Sequence, residues 1–173
     1  TGRRAFVKRQ LDYLQGLVAQ FNSSVLEDGT LQYPFYFVDW PTSKKPDEMD
    51  GVRAINIMAM KRAVFLLKEF GCDFKLAEQT LEKLLKQEIE VVKSKQVAGL
   101  KFFAVGLNDV DKELLVDGGA KGMSTFMSYY ILKAVASFDK PKAISMMKEY
   151  YGAMLEKGAT SFWEDFDIEW CDG

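Results

Sequence analysis

Apolar residues recur at helical spacing along most of the chain. They form one stripe from about Arg3 to Phe21, and the spacing returns from about Asp50 to Glu69 and from about Leu76 to Lys95. It predicts two further helices, from about Ser124 to Ser137 and from about Pro141 to Glu156. No stretch alternates apolar and polar positions for long enough to require a sheet. The pattern therefore predicts an all-α protein.

The predicted helix ends carry residues that favour these positions. Ser124 is an expected N-cap, and Pro141 stands at an expected first helical position. Gly71 and Gly158 follow two predicted helices, where glycine commonly ends a helix. Residues 97–122 contain short apolar runs separated by glycines, which predict a broken helix and a loop.

Two segments combine aromatic and acidic residues. Residues 26–51 form a long connection with an Asp-Gly turn signal and three prolines, and its segment YPFYFVDWP has five aromatic residues in nine. A connection of this length inside a compact domain is usually functional. The second segment, TSFWEDFDIEW, covers residues 160–170. In each segment a tryptophan stands directly beside a carboxylate, which makes both candidates for the rim of a cleft.

A carboxylate beside an aromatic ring suits carbohydrate chemistry. Sugars stack their C–H faces on aromatic rings, carboxylates accept hydrogen bonds from sugar hydroxyls, and desolvation by a ring can change the pKa of a carboxyl. Structural explanations stay open for both segments. The C-terminal aromatic residues would then pack on the core with the acids facing water, and the YPFYFVDWP segment would be a buried plug.

Composition narrows the classes of function. The chain has 23 basic and 25 acidic residues and a net charge of -2, without the basic footprint of a nucleic-acid-binding protein. No apolar run reaches the ~20 residues that cross a bilayer. We therefore expect neither nucleic acid nor a membrane as a partner. The chain contains no histidine, which excludes Ser-His-Asp, Cys-His and histidine-metal chemistry within it. We expect no metal and no other cofactor.

Length and termini bear on the domain organisation. With 173 residues, we expect a single helical domain over residues 1–173. Because the sequence begins at Thr1 without methionine, we expect a piece of a longer protein. Cys72 and Cys171 are either two free thiols or one disulfide, and the sequence leaves this choice open.

The segment from Lys121 to Asp167 resembles the α-L-rhamnosidases of glycoside hydrolase family 78. In that family a helix pair leads to a G-A-T-T/S-x-W-E motif, which here runs from Gly158 to Glu164. The upstream FVDWPT resembles the family's G-D-W loop, with Asp39 and Trp40 matching and valine in place of the glycine. The order and distance of the two motifs also fit, so the resemblance covers nearly the whole chain.

The resemblance implies a fold and a reaction. The implied fold is an (α/α)6 barrel, of which this chain would be about half, the C-terminal half of the catalytic domain. The implied activity is hydrolysis of terminal rhamnosides with inversion, with Glu164 as the general base that activates water. Trp163 would line the sugar pocket, and Asp39 and Trp40 would lie on its rim. The ligand would be a rhamnosylated glycan or glycoside, and the structural partner the missing N-terminal half of the same domain.

Two elements of the family pattern are absent from the chain. The acidic motif with the general acid would lie before Thr1, and a histidine-containing segment that follows the W-E motif is missing. On this account the chain by itself would be inactive, and analogy suggests an extracytoplasmic parent protein. The alternative is a non-catalytic helical module that binds carbohydrate or another protein. A helical half-domain that self-associates through its unpartnered face is a third possibility.

Overall fold

The structure, a computed structural model, describes residues 2–39 and 47–171. These residues form eight α-helices, one short 3-10 helix and an isolated antiparallel bridge between Val25 and Leu31. The prediction of an all-α protein is confirmed, whereas the (α/α)6 barrel stays a prediction. In chain order the helices are α1 Gly2–Arg9, α2 Leu11–Ser23, α3 Asp47–Glu69, α4 Lys75–Leu84, α5 Lys95–Ala104, α6 Asp109–Val116, α7 Ser128–Ala136, α8 Lys140–Glu156 and the 3-10 helix Ile168–Cys171.

The chain divides into two compact units. The first comprises Thr1–Phe35 and Ile55–Glu88, and the second comprises Tyr36–Ala54 and Ile89–Gly173. Helix α3 is therefore shared, with its first residues counted in the second unit. All candidate site residues with a described position belong to the second unit.

In the first unit α2 packs against α4. Polar contacts support this packing, because the Asn22 side-chain oxygen accepts from the Lys83 ammonium at 3.3 Å, and Lys83 also pairs with Glu27 at 2.7 Å. The buried apolar residues of the unit include Leu11, Val18, Val25, Leu31, Ile57, Met60, Ala63, Leu67, Ala77 and Leu84. This core holds the helices that the apolar stripes predicted.

The first predicted helix is interrupted. A single helix was expected from about Arg3 to Phe21, but the chain turns at Gln10 between α1 and α2. Helix α1 buries none of its residues and is held instead through Arg4. The Arg4 guanidinium lies 4.6 Å from the centroid of the Phe70 ring and pairs with Glu69 at 2.9 Å. Contacts with the far end of α3 therefore accompany a break that no local glycine or proline marks.

Two predicted glycine stops are confirmed. Gly71 and Gly158 both have positive φ, and each stands two positions after the last residue of a helix. After α8 the Gly158 N–H donates to the Leu155 carbonyl at 3.0 Å and the Ala159 N–H donates to the Met154 carbonyl at 2.9 Å. This pair of bonds is the Schellman arrangement, which satisfies the last carbonyls of the helix. Gly158 thus redirects the chain from α8 into the segment that contains Glu164.

The third predicted helix is shorter than expected. The apolar stripe predicted a helix from about Leu76 to Lys95, but α4 ends at Leu84 and a new helix, α5, begins at Lys95. The Val92 N–H donates to the Asp47 carboxylate at 3.1 Å, a bond between residues far apart in sequence. Ser94 then caps α5, because its hydroxyl accepts from the Val97 N–H at 3.2 Å. The segment predicted as broken helix and loop contains most of α5 and all of α6.

The second unit is built on α5, α7 and α8. Helix α7 packs against both α5 and α8, while α6 packs against α5 and α7. Three methionines contribute to the buried core, which consists of Ala98, Leu115, Ala120, Met123, Ile131, Ala134, Val135, Ala143, Met146, Tyr150, Met154 and Phe166. This core fixes α7 relative to the end of α8, and these two elements carry the candidate site.

Helix α7 begins later than predicted. Ser124 was expected to cap a helix that starts directly after it, but α7 begins at Ser128 and residues 125–127 form a turn. The Ser124 hydroxyl accepts from the Met127 N–H at 3.4 Å and also donates to the Asp39 carboxylate. The hydroxyl therefore both supports this turn and contacts a candidate site residue. Helix α3, which follows the connection that contains Asp39, begins at Asp47, slightly before the predicted start at Asp50.

Close packing of α5 on α7 depends on Gly99. A methyl group at Gly99 would lie 2.9 Å from the Ile131 backbone nitrogen and 3.0 Å from the Tyr130 backbone carbon. We therefore expect Gly99→Ala to lower the free energy of unfolding by about 1–3 kcal/mol, because backbone atoms must move apart. Gly152→Ala in α8 is the matched control, since a methyl group there meets no atom within 4 Å. It should stabilise the protein by about 0.5–1 kcal/mol through helix propensity. Urea unfolding measures both variants, and equal effects would contradict this account of Gly99.

Two further findings concern the two cysteines and the question of a membrane-spanning helix. Cys72 and Cys171 are both free thiols in the structure. Among the described helices, none combines the length and the apolar character that crossing a bilayer requires.

Candidate functional site

A pocket of about 450 Å³ lies in the second unit beside Glu164. Thr125 and Phe126 from the turn before α7, Tyr129 and Tyr130 from α7, and Glu164 line it. Phe126, Tyr129 and Tyr130 follow a spacing of three and four residues, so their side chains share one side of this helical segment. The lining therefore combines aromatic rings, a hydroxyl group and one carboxylate, and we term it the Glu164 pocket.

The two segments that combine aromatic and acidic residues contact two residues that are neighbours in the sequence, Ser124 and Thr125. The Ser124 hydroxyl donates a hydrogen bond to the Asp39 carboxylate, and the Thr125 hydroxyl donates a hydrogen bond to the Trp163 carbonyl at 2.5 Å. Asp39 and Trp163 are far apart in the sequence, and neither segment alone indicates that they meet. The turn before α7 thus joins the FVDWPT segment to the G-A-T-S-F-W-E segment next to the pocket.

Tyr150 of α8 supports the segment that carries Glu164. Its buried hydroxyl donates to the Phe166 carbonyl at 2.7 Å, and its ring packs edge-on against the Phe166 ring at 5.3 Å between centroids. Burial raises the pKa of Tyr150 to about 12, and the charges of Asp167 and Asp39 also raise it. Tyr150 therefore stays protonated at neutral pH and remains a hydrogen-bond donor to this segment.

Tyr151, the next residue of α8, contacts the turn before α7 and the first residue of α7. Its hydroxyl lies 2.5 Å from the Ser128 hydroxyl and donates to the Thr125 carbonyl at 3.3 Å. The Ser128 hydroxyl also donates to the same carbonyl, at 2.8 Å. Two neighbouring tyrosines of α8 thus hold both the turn and the Glu164 segment, which pre-organises the wall of the pocket.

Glu164 differs from the acidic residues that follow it. It is exposed and lines the pocket, whereas Asp167 is half-buried and accepts from the Glu169 N–H at 3.0 Å. Glu169 in turn pairs with Lys121 at 3.4 Å. No lysine or arginine of the described ranges pairs with the Glu164 carboxylate. The Glu164 carboxylate is therefore open to a hydrogen bond from a bound molecule.

The predicted site residues have different surroundings. Asp39 is half-buried and held by Ser124, and Glu164 lines the pocket. The Trp163 ring packs on the helical core and lies 5.7 Å from the Phe166 ring, while its carbonyl contacts the turn before α7. Trp40 lies outside the described residues. The functional roles assigned to these four residues stay predictions.

Most of the residues that line the pocket were not predicted from the sequence. Thr125, Phe126, Tyr129 and Tyr130 were absent from the candidate residues, and Ser124 was expected only as a helix cap. A signal was present, because three aromatic residues at a spacing of three and four predict a continuous aromatic face on a helix. That face is exposed, with exposed fractions of 70% for Phe126 and 58% for Tyr129.

The structural explanations for the two aromatic and acidic segments, packing on the core and a buried plug, hold only in part. In the C-terminal segment Phe166 is buried in the core, while the rings of Phe162 and Trp170 are exposed. In the other segment Phe35 and Phe37 are exposed, so its described part is not a buried plug.

The arrangement favours chemistry by a carboxylate. Within residues 2–39 and 47–171 no group of three or more cysteine and acidic side chains is arranged to hold a metal ion. Glu164 is the one carboxylate among the lining residues of the described pocket. A carboxylate in this position can accept a proton from water or a hydrogen bond from a sugar hydroxyl, while the rings provide surfaces for stacking. No protein-family model, no curated protein and no solved structure matches the chain.

Proposed function

We propose that the chain is the C-terminal half of the catalytic domain of an α-L-rhamnosidase-like glycoside hydrolase. In this proposal the domain is an (α/α)6 barrel that hydrolyses terminal rhamnosides with inversion, and Glu164 is the general base. The observation that carries the proposal is the meeting of the two motifs at Ser124 and Thr125. Two segments with the same resemblance, far apart in sequence, contact adjacent residues beside one aromatic pocket.

The carboxylate of the pocket fits one of the two catalytic roles that an inverting hydrolase requires. Such an enzyme needs one ionised carboxylate to deprotonate water and one protonated carboxyl to assist the leaving group. In this proposal Glu164 is the carboxylate that faces the attacking water, and its exposure and its place in the pocket lining support that role. The general acid is assigned to the half of the domain that precedes Thr1, in agreement with the resemblance.

One observation favours a second function, a helical module that binds carbohydrate without hydrolysis. The described pocket has only one carboxylate in its lining, together with several aromatic rings. This set is sufficient for stacking and hydrogen bonding of a sugar, but not for both proton transfers. The two functions differ in whether the complete protein releases a reducing sugar.

The stereochemistry of the product tests the proposed function. We expect the complete protein to hydrolyse 4-nitrophenyl α-L-rhamnoside and to release β-L-rhamnose first, because water attacks the face opposite the leaving group. Proton NMR during the first minutes, before mutarotation equilibrates the anomers, identifies the initial product. Initial release of α-L-rhamnose would contradict the assignment of Glu164 as a general base. Binding of the glycoside without hydrolysis would favour the module instead.

A further inference from the structure

Lys95, the first residue of α5, is a buried lysine outside the lining of the Glu164 pocket. Only 7% of its surface is exposed. Lysines are almost never buried unless they are paired. A positive charge is also disfavoured at the N-terminus of a helix, because the helix dipole is positive there. A lysine that carries both costs indicates a specific task for its ammonium group.

The Lys95 ammonium binds the loop of residues 117–123, which joins α6 to the turn before α7. It donates to the Asp117 carbonyl and, at 2.6 Å, to the Gly119 carbonyl. Gly118 and Gly119 both have φ of 59°, a conformation that glycine adopts without strain. The ammonium thus contacts two carbonyls on either side of a turn that only these glycines adopt easily.

A carboxylate of α8 holds the same loop. The Glu149 carboxylate accepts from the Ala120 N–H at 3.1 Å. A methyl group at Gly119 would lie 2.6 Å from the Glu149 Oε2 atom, so the loop approaches this carboxylate closely. A cation therefore binds carbonyls of the loop while an anion binds one of its N–H groups. Hydrogen bonds of both kinds are strengthened by the charge.

The Lys95 side chain is charged at neutral pH. Burial lowers the pKa of Lys95 to about 8; the charge of Lys142 also lowers it, whereas the charges of Asp117 and Glu149 raise it. Because this pKa still lies above neutral pH, the ammonium form predominates. Hydrogen bonds from a charged donor are about twice as strong as those from a neutral donor.

The loop leads directly into the turn that lines the Glu164 pocket. The Met123 N–H donates to the Ala120 carbonyl at 3.1 Å, and both side chains are buried. Thr125, two residues further on, lines the pocket and donates to the Trp163 carbonyl. A displacement of the loop would therefore reach the pocket lining within a few residues.

We propose that Lys95 is a positioning residue for the Glu164 pocket: its ammonium fixes the loop and thereby the place of Thr125 and Phe126 in the lining. The ammonium group, and not the apolar stem of the side chain, has this role. The inference rests on the proposed function where it concerns the sugar, since the pocket is the sugar site of that proposal. Fixation of the loop itself is independent of any ligand.

Hydrogen exchange of single amides, followed by NMR in the complete protein, tests the fixation without a ligand. Lys95→Met keeps the length and the apolar stem of the side chain but removes the ammonium. We expect the Ala120 and Met127 amides to exchange about tenfold faster or more, because their hydrogen bonds belong to the loop and the turn. The Ala143 amide of α8, which donates to the Asp139 carbonyl, should be unchanged. Equal acceleration at all three amides, or none at Ala120 and Met127, would overturn the inference.

Chemical rescue separates the charge from the packing. Lys95→Ala removes a group that n-propylammonium can replace, so this ion should slow the exchange again. The alcohol n-propanol has the same carbon chain without the charge and should not. Equal rescue by both probes, or by neither, would refute the role of the ammonium. If Lys95→Met does not fold, the same two probes decide through recovery of the helical circular-dichroism signal of Lys95→Ala.

Lys121→Met is the matched control. Lys121 lies in the same loop, but it is exposed and its pair with Glu169 at 3.4 Å is exposed as well. The variant removes one positive charge from the loop without touching the buried contacts of Lys95. It should leave the exchange of all three amides unchanged, because exposed pairs contribute little.

The affinity for L-rhamnose, measured by calorimetry, connects the loop to the pocket. We expect Lys95→Met to weaken L-rhamnose about tenfold and Lys121→Met to change it by less than about twofold. Faster local exchange with unchanged affinity would show that Lys95 holds the loop without positioning the pocket, which refutes the inference while the proposed function stands. If the wild type does not bind L-rhamnose, the proposed function fails, and hydrogen exchange alone decides whether Lys95 fixes the turn.

Discussion

In the proposed rhamnosidase, Glu164→Gln is expected to reduce kcat of the complete protein on 4-nitrophenyl α-L-rhamnoside by about 10²–10⁴-fold. General base catalysis typically contributes 10²–10⁴-fold, and an inverting hydrolase has no covalent intermediate that could bypass the base. The amide retains the size of the carboxylate but cannot accept the proton of the attacking water. Because Glu164 is exposed and takes part in no ion pair of the described residues, the substitution should not change the stability of the fold.

Asp165→Asn provides the control for this substitution. Asp165 is the next residue, is also exposed, and does not line the Glu164 pocket. It removes the same charge from the same segment, so a general electrostatic effect would lower kcat in both variants. The account requires near-normal kcat for Asp165→Asn and a large loss for Glu164→Gln, with unchanged thermal midpoints for both. Near-normal turnover by Glu164→Gln would overturn the assignment of the base.

Asp111→Ala is expected to lower the free energy of unfolding by about 3–5 kcal/mol, which is the largest effect on stability that we predict. The Asp111 carboxylate pairs with the Lys101 ammonium at 2.8 Å, and the two side chains are only 4% and 13% exposed. The same carboxylate accepts from the Asn108 N–H at 3.0 Å, completing a capping box at the start of α6. The substitution leaves a largely buried ammonium without its counterion and removes one half of the cap.

Asp109→Ala tests whether burial is responsible for this effect. Asp109 also belongs to the first turn of α6 and pairs with Lys112 at the same distance of 2.8 Å, but its side chain is 90% exposed. An exposed pair contributes little to stability because water and salt screen it, so this variant should unfold close to the wild type in urea. The double variant Lys101→Met/Asp111→Ala should be more stable than Asp111→Ala alone, because no unpaired charge remains. Similar losses for Asp109→Ala and Asp111→Ala would contradict the account.

The existence of most helices was predictable, whereas several boundaries depend on distant residues. Apolar spacing indicated the helical segments, and Gly71 and Gly158 marked two stops correctly because a positive φ is a local property. The end of α4 was missed, and nearby Val92 bonds to Asp47 through a contact that local sequence does not specify. The break at Gln10 is likewise accompanied by contacts of Arg4 with the end of α3.

For the candidate site, the sequence predicted only residues that belong to one of the two motifs. The W-E pair drew attention to Glu164, which the structure finds in the lining of a pocket. The other lining residues come from α7 and the turn before it, and their proximity to Glu164 results from the packing of α7 on α8. Nor does the sequence of either motif show that Asp39 and Trp163 contact neighbouring residues. Such contacts depend on tertiary packing, which a spacing argument on one segment does not contain.

A crystal structure of the complete protein with Glu164→Gln and bound L-rhamnose tests the central claim most directly. The claim is that the Glu164 pocket is the sugar site. It predicts a sugar ring against at least one of Phe126, Tyr129 and Tyr130, with a hydroxyl or a water at the anomeric carbon within hydrogen-bond distance of residue 164. A sugar bound elsewhere, with residue 164 turned away from it, would contradict the claim.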